Sequence, residues 1–526
     1  MKKVIAEHLF QDQNIAFFDD AGAIHCVELE KLLRIKHYCC LTEPLLTVHP
    51  EVDKIYRDVI RNNVCKSRLI VNEKFGVMAD ADTDLVLCYQ NQHDNARKSE
   101  LFAYAERATR STVVKTNHQE NHVLSIIAAD RLDDCLALSI DGQGDGNLSI
   151  FEFKDNKLTV IYHEEGFSFG EFYETMAAFF VNKGVFTQGV EGKFMAFAGL
   201  GKTVNLDRWW GSTFASVKNF NWSQQRLEAN VYVLGKLEEV CTKFNAVDVA
   251  NYVQRAWVQE ILATVKPYVG SGRRLAFAGG CALNCLLNQA LAESGWFSSI
   301  HWSPVPSDTG QSVGALCNYV LGQTHELPSV NWNDLTRGVD DDPEVITDVR
   351  RQLTRVDVDR LVNLLVDGGL LGVVRGNVEL GPRALGRRSI LASPLWPVIA
   401  RQLNTIKGRE DYRPFGIIVH RDKMSDYVDF NLDAKYMNIT AHAVGDIPAA
   451  THVDGSTRFQ TVTTEDDPWL YALIDEFGKR TGIYALINTS FNDSGLPMFN
   501  YIADAWRMYQ QKLDGLVFDN GMVIKK

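Results

Sequence analysis

Apolar-rich stretches at the start of the chain, KVIAEHLF and NIAFFD, predict two strands of a β-hairpin, and DDAG predicts a further turn before the strand-like AIHCVELE. The same pattern returns from Cys135 to Asp141, where CLALSI runs into the glycine turn GQGDG and then into NLSIFEF. Two such strand–turn–strand passages predict a duplicated α/β architecture, although no close sequence repeat accompanies them. After them the spacing turns helical. In SFGEFYETMAAFFVN, Phe169, Phe172, Tyr173, Met176 and Phe180 fall near one helical face, as a core-packing stripe would. Residues 246–266 predict another helix. In RRLAFAGGCALNCLLNQALAES an apolar strand feeds a helix through Gly279 and Gly280, an arrangement that leaves helix N–H groups free for a phosphate or nucleotide.

Residues 323–345 are polar, turn-rich and weakly periodic, and a domain boundary is expected there, with one part at 1–340 and a second α/β part at 346–526. A length of 526 residues calls for more than one core. With 46% apolar and 23% charged residues the composition is that of a globular protein, which excludes disorder, collagen and coiled coil. No apolar run is long enough to span a membrane, and MKKVIAEHLFQDQN lacks the apolar region of a secretory signal. The ten cysteines form no CxxC pair, so neither a zinc ribbon nor a disulfide framework is expected, and a reducing cytoplasm is. A net charge of −12 argues against wholesale electrostatic binding of nucleic acid, while leaving room for a local basic groove.

Three groups of residues suggest chemistry. His118 and His122 stand four positions apart in HQENH, so on a helix both imidazoles share a face and can grip one metal. The glutamate does not directly follow the first histidine, as a zinc-protease motif requires, and alone the pair more commonly means a solvated helix face. Asp141, at a strand end, and Asp308, after IHWSPVP, would complete a mixed nitrogen and oxygen donor set suited to iron, manganese or zinc. The turn from Asp141 to Gly146 allows close approach to a phosphate, but by itself is more commonly a simple hairpin turn. The third group is basic: Gly381-Pro-Arg383-Ala-Leu-Gly-Arg387-Arg388-Ser389, then Lys407-Gly-Arg409, Arg413-Pro-Phe and Asn488-Thr-Ser490-Phe-Asn492. Guanidinium forks and a lysine interleaved with glycine, proline and apolar strands point to anion binding.

Taken together, HQENH, SIDGQGDG, EGKFMAFAGLG, AFAGGCALNC, PVPSDTGQSVGAL, VELGPRALGRRSILASP, KGREDYRPFG and INTSFNDSG resemble, in order along nearly the whole chain, the O-carbamoyltransferase family of nodulation-factor and antibiotic-tailoring enzymes. The resemblance implies an N-terminal part of the actin/sugar-kinase/Hsp70 type, close to the threonylcarbamoyl-transfer subunit of tRNA modification. It also implies a smaller α/β C-terminal part like a threonylcarbamoyl-adenylate synthase, marked by Lys407-x-Arg409 and Ser490-x-Asn492. Carbamoyl phosphate and ATP, with Mg2+, would give carbamoyl adenylate in the C-terminal part, and an acceptor hydroxyl would take the carbamoyl group in the N-terminal part. A shielded path for the labile intermediate is expected.

Carried over residue by residue, the family's metal ligands fall on His118, His122, Asp141 and Asp308, for Fe2+ or alternatively Mn2+ or Zn2+. Its nucleotide contacts fall on Glu191, Lys193, Gly279, Gly280 and Asn284. Its phosphate and carbamoyl contacts fall on Arg383, Lys407, Arg409, Arg413, Asn488, Ser490 and Asn492, and its catalytic groups on Asp12, Lys36, His37 and Arg383. The chain departs from the family at Gln11, where a histidine is usual and His8 and His37 are the neighbouring alternatives, and at Met498–Asp504, where Thr-Pro-Glu-Asp is usual. The acceptor is expected to be a small molecule, with a hydroxymethylated pyrimidine in DNA as an alternative, and the family likeness implies a homodimer. The competing expectations are tRNA threonylcarbamoylation and a sugar-kinase-like protein.

Overall fold

The computed structural model describes residues 3–8, 13–19, 21–34, 83–89, 112–142, 147–187, 189–270, 272–333, 335 and 343–525. The chain forms two compact units, one from Met1–Ser168, Arg273–Gly280 and Ile300–Val339, the other from Phe169–Gly272, Cys281–Ser299 and Asp340–Lys526.

The predicted opening hairpin is β1 (Lys3–His8) and β2 (Asn14–Phe18), paired antiparallel, followed by an antiparallel β3 (Ile24–Glu28). Strands β4 (Thr83–Tyr89) and β5 (Thr112–Asn117) add to β1 in parallel, giving the order β3-β2-β1-β4-β5. The second passage repeats this plan. Strands β6 (Asp134–Ile140), β7 (Leu148–Lys154) and β8 (Lys157–Glu164) form an antiparallel meander, and β9 (Arg273–Ala278) joins β6 in parallel. With β10 (Phe297–His301) the order is β10-β9-β6-β7-β8, the first sheet's order over again. This duplicated strand order is the actin/sugar-kinase plan expected from the sequence. Leu136, Leu138, Leu275 and Phe277 are wholly buried, as strands with a helix-covered face require.

Two helices of the first unit, His118–Ala129 and Gln311–Thr324, approach backbone to backbone. A Cβ at Gly314 would lie 1.9 Å from the Asn121 carbonyl oxygen, so only glycine permits this contact.

In the second unit the aromatic stripe forms the Phe169–Asn182 helix, with Phe169, Phe172, Tyr173 and Met176 buried as core. The predicted helix at 246–266 is Ala246–Val265, started by Asn245, whose side chain accepts from the Val247 N–H. The C-terminal segment forms an eight-stranded mixed sheet, ordered β14-β15-β13-β16-β12-β11-β17-β18. Its strands are β11 (Leu371–Val374), β12 (Arg388–Ala392), β13 (Gly416–His420), β14 (Ile439–His442), β15 (Ser456–Val462), β16 (Ala485–Ser490), β17 (Gly515–Phe518) and β18 (Gly521–Ile524). The helices Val358–Val366 and Pro468–Thr481 pack Leu361, Leu365, Leu473 and Phe477 against Leu371, Ile418 and Leu486. Each such side chain contributes ~1.5–3 kcal/mol by leaving water. Among the described residues no helix is long and apolar enough to cross a membrane.

Candidate functional site

Strand β5 ends at Asn117, whose side chain accepts the Glu120 N–H at 3.0 Å and so starts the next helix at His118. Such a cap is worth ~1 kcal/mol. It places His118 in the first turn and His122 one turn later on the same face, both buried. Asp141 immediately follows β6, and Asp308 opens a 3-10 turn (Asp308–Gly310) ahead of the Gln311–Thr324 helix. The four residues converge. His118 Nε2 lies 3.0 Å from Asp141 Oδ2 and 3.2 Å from Asp308 Oδ1. His122 Nε2 lies 3.1 Å from Asp141 Oδ2, 3.6 Å from Asp308 Oδ1 and 3.1 Å from His118 Nε2.

The surrounding backbone fixes each carboxylate. Asp141 Oδ1 accepts the N–H groups of Gly142 at 2.8 Å and Gly280 at 3.1 Å, which leaves Oδ2 toward the histidines. Gly279, at φ +89, passes so close to Ile140 that a Cβ would sit 2.2 Å from its carbonyl oxygen. The Asn14 amide donates to the Asp308 carbonyl at 2.8 Å and accepts the Ser312 N–H at 2.9 Å, pinning the turn that carries Asp308. His8, at the end of β1, approaches Asp308 Oδ2 at 3.5 Å.

These spacings fit a metal ion. Donors bound at ~2.1 Å sit ~3.0–3.4 Å apart around an octahedral or tetrahedral ion, and all four donor atoms here lie within 4.8 Å of one another. Asp308 Oδ1 is buried and faces both imidazole Nε2 atoms, as a coordinating oxygen would. Burial by itself would lower His118, but the charges and hydrogen bonds of Asp308 and Asp141 push it up to about 10. Burial, reinforced by the charge on His118, moves His122 the other way. Burial and the charge of Asp308 oppose ionisation of Asp141, yet hydrogen bonds from the two imidazoles hold it down at about 2.

The second site lies in the other unit. Lys407 ends the Pro397–Lys407 helix, and its ammonium donates to the Ser490 carbonyl at 2.7 Å, the Ser490 hydroxyl at 3.2 Å, the Asn492 carbonyl at 2.9 Å and the Asn492 side-chain oxygen. The KxR and SxN motifs are therefore one polar knot. Asn488, on β16, donates to the Ala384 carbonyl at 2.7 Å and so ties the Arg383 loop to the sheet. Arg409 stacks on Phe415 with its guanidinium carbon 4.6 Å from the ring centre.

Arg383, Arg409 and Arg458 have no carboxylate within 4.0 Å among the described residues, and the Nε of each is buried without a partner. All three side chains are half-buried. Burial, then repulsion from one another and from Arg413, pushes Arg383 and Arg409 down from the ordinary guanidinium range, and burial with Arg413 does the same to Arg458. Glu410 lies 3.6 Å from Arg413 and 3.0 Å from Lys193, so the loop carrying Arg409 and Arg413 is docked on the Val190–Ala198 helix. Asn284 caps the Cys285–Glu293 helix by accepting the Leu286 and Leu287 N–H groups, each at 3.1 Å.

The structure thus gathers His118, His122, Asp141 and Asp308 at one site, bordered by Gly280. It brings Arg383, Arg409 and Arg413 together, with Lys407 at a helix end, Asn488 and Ser490 on β16 and Asn492 just after that strand. Glu191 and Lys193 lie in the first turn of the Val190–Ala198 helix. Asp12, Lys36, His37 and the turn residues 143–146 lie outside the described residues. Sequence reasoning passed over Arg458, a single arginine on β15, and Glu379, a single acid before the arginine loop. For Arg458 the one signal is a long cation in STRFQTV, a strand otherwise of apolar and small polar residues.

Residues 4–317 match the family described as Carbamoyltransferase N-terminus, and residues 362–526 match Carbamoyltransferase C-terminus. NolO, a nodulation protein of Bradyrhizobium diazoefficiens, is 29% identical over 444 residues, which is 78% of this chain and 79% of NolO. Nodulation protein NolNO of Sinorhizobium fredii is 35% identical over 272 residues, 48% of this chain and 40% of its own length. The 3'-hydroxymethylcephem-O-carbamoyltransferase of Amycolatopsis lactamdurans is 34% identical over 236 residues, 44% of this chain and 45% of the enzyme. The chain thus spans less than half the length of the last two relatives. The crystal structure of T. kodakarensis HypF aligns over 61% of this chain and 47% of its own, at 12% identity and a TM-score of 0.33, which adds nothing to the strand order itself. Matched in both of its parts, the chain belongs to the carbamoyltransferases, a family of enzymes.

Proposed function

We propose that the protein is an ATP-dependent O-carbamoyltransferase that makes carbamoyl adenylate and passes its carbamoyl group to an acceptor hydroxyl. The observation that carries this reading is the group formed by Arg383, Arg409 and Arg458, three guanidiniums with unpartnered Nε atoms and, among the described residues, no carboxylate within 4.0 Å. A polyanion is the ligand such a group lacks. In the first step water cleaves carbamoyl phosphate to carbamate and phosphate. A carbamate oxygen then attacks the α-phosphorus of ATP, and pyrophosphate leaves with the electron pair of the broken P–O bond. The arginines would hold the phosphates and stabilise the charge that grows on the leaving group. The Lys407–Ser490–Asn492 knot would keep the carbamate side of the site in shape, with Asn488 anchoring the Arg383 loop.

In the transfer step the acceptor oxygen bonds to the carbamoyl carbon, its proton is lost and AMP leaves. His118, His122, Asp141 and Asp308 would hold the divalent ion, iron, manganese or zinc, whose contribution when bound is to polarise the carbonyl or neutralise phosphate charge. The Gly142 and Gly280 amides and the Asn14 clamp keep the two carboxylates aimed during this chemistry. Glu191, Lys193, Gly279, Gly280 and Asn284 are assigned to nucleotide contacts, and Asp12, Lys36 and His37 to the acceptor side, on the family resemblance. Partners are carbamoyl phosphate, ATP and a hydroxyl-bearing small molecule, in the cytoplasm and as a homodimer. The 3'-hydroxymethyl group named for the cephem enzyme is the model for that hydroxyl.

The test is incubation of the full chain with carbamoyl phosphate, ATP and Mg2+, with and without a panel of alcohols. Pyrophosphate release that depends on carbamoyl phosphate, and a carbamoyl gain on an alcohol, are expected. Absence of pyrophosphate with every acceptor refutes the reading, and dependence on threonine with bicarbonate instead points to threonylcarbamoyl chemistry.

A further inference from the structure

The arginine loop is organised around an acid. Glu379 is buried, and its Oε1 accepts the backbone N–H groups of Leu385 at 2.8 Å, Arg387 at 2.9 Å and Arg388 at 3.0 Å. One carboxylate oxygen thereby closes residues 379–388 into a ring, with Arg383 between the carboxylate and the amides that bind it. Three convergent amides make an anion nest, and here the nest is filled from within the same loop.

The rest of the ring is tied outward. The Ala384 carbonyl accepts from Asn488 at 2.7 Å, the Leu385 carbonyl from Gln460 at 3.1 Å, and the Gly386 N–H donates to Ser389 Oγ at 3.0 Å. Gly381 and Gly386, at φ +84 and +110, supply the two reversals that a ring this tight needs. The arginines of the ring have different fates. Arg388 is buried and donates to the Arg375 carbonyl at 2.9 Å and the Gly376 carbonyl at 3.1 Å, so it holds backbone. Arg383 has an unpartnered Nε and feels the charges of Arg458 and Arg413.

We propose that Glu379 is the positioning residue of the anion site: by filling the three-amide nest it holds the loop in the one shape that presents Arg383 to the phosphates. This rests on the adenylate-forming reading for the identity of the ligand, but not for the loop geometry. Glu379 touches no substrate in this account and acts only through Arg383.

The experiment compares E379A, E379Q, R383M and E379A/R383M in the full chain, by isothermal titration with inorganic pyrophosphate and by steady-state pyrophosphate release. E379A should weaken pyrophosphate binding and raise KM for ATP by roughly tenfold or more with kcat little changed, because three amides lose their acceptor and Arg383 loses its place. E379Q keeps an acceptor oxygen and should recover most of the loss. The double variant should bind pyrophosphate no more weakly than R383M alone. Losses that multiply in the double variant, or E379A binding as wild type does, overturn the proposal. If E379A does not fold, E379D, whose carboxylate is one methylene too short to reach all three amides, takes its place in the same cycle with R383M. Wild-type protein that binds pyrophosphate with this pattern but never releases it from ATP refutes the adenylate reading and leaves the role of Glu379 standing.

Discussion

Replacing Arg458 by methionine should stabilise the unliganded protein and damage its chemistry at the same time. Methionine keeps most of the hydrocarbon stem that packs along β15 and removes the charge. Two unit charges ~7 Å apart repel by about 2.4 kcal/mol at an effective dielectric of ~20. Arg458 faces Arg383, Arg409 and Arg413 without a carboxylate of its own. Relief of even half of one such repulsion is ~1 kcal/mol, a rise in Tm of roughly 2–4 °C. With phosphate bound the sign reverses. A hydrogen bond to a charged group is worth ~1.5–3 kcal/mol, so KM for ATP or carbamoyl phosphate should rise about 10- to 150-fold.

Differential scanning fluorimetry of the ligand-free chain measures the first effect and steady-state pyrophosphate release the second. R458K is the control: it keeps the charge and loses the fork, so Tm should stay put while KM rises less than in R458M. R458M with a lowered Tm and an unchanged KM would mean that Arg458 is a packing residue of its strand, and the anion site would lose its best evidence.

Other outcomes follow from the same geometry. H122A and D308N should abolish tight binding of a divalent ion, read by metal content after gel filtration, while pyrophosphate release persists, since the ion site and the arginines belong to different units. G314A places a Cβ 1.9 Å from the Asn121 carbonyl oxygen, between the two histidines in sequence, and should cost more than ~2 kcal/mol and loosen metal binding, seen as a lower Tm and weaker ion retention. Burial pushes the thiols of Cys26 and Cys135 up to about 12, so iodoacetamide at pH 8 should leave both unmodified in the native chain, and mass spectrometry of digests would show otherwise if either were exposed.

How much of this was legible in the sequence depends on whether the signal was local. The hairpins, the aromatic helix and the strand–glycine–helix passage were, because period and turn chemistry act over a few residues. His118 and His122 announced themselves by an i, i+4 spacing, whereas Asp141 and Asp308 showed only as carboxylates after strand-like stretches, since 167 positions separate them and only the sheet brings them together. Arg458 was silent for the same reason: one arginine on a strand is ordinary until the loops ahead of β12 and β13 deliver three more. Glu379 looked like a stray acid because its partners are backbone amides, which carry no sequence signature. Nor does composition foretell that residues 169–272 and 281–299 cluster with 340–526, which is decided by long-range packing.

The two sites share one electrostatic logic with opposite signs. In the first, two carboxylates, aimed by the Gly142 and Gly280 amides and by His8, stand together against two buried imidazoles. In the second, guanidiniums stand together inside a chain whose net charge is −12. Neither arrangement is at its most stable alone, because each keeps like charges close that only a ligand of the opposite sign can screen. Folding energy stored as unmet charge becomes binding energy when the ligand arrives, so a divalent ion and pyrophosphate should each raise Tm by its own increment. A chain whose Tm ignored both would have its charges satisfied from within, and the chemistry assigned to them would have no place to occur.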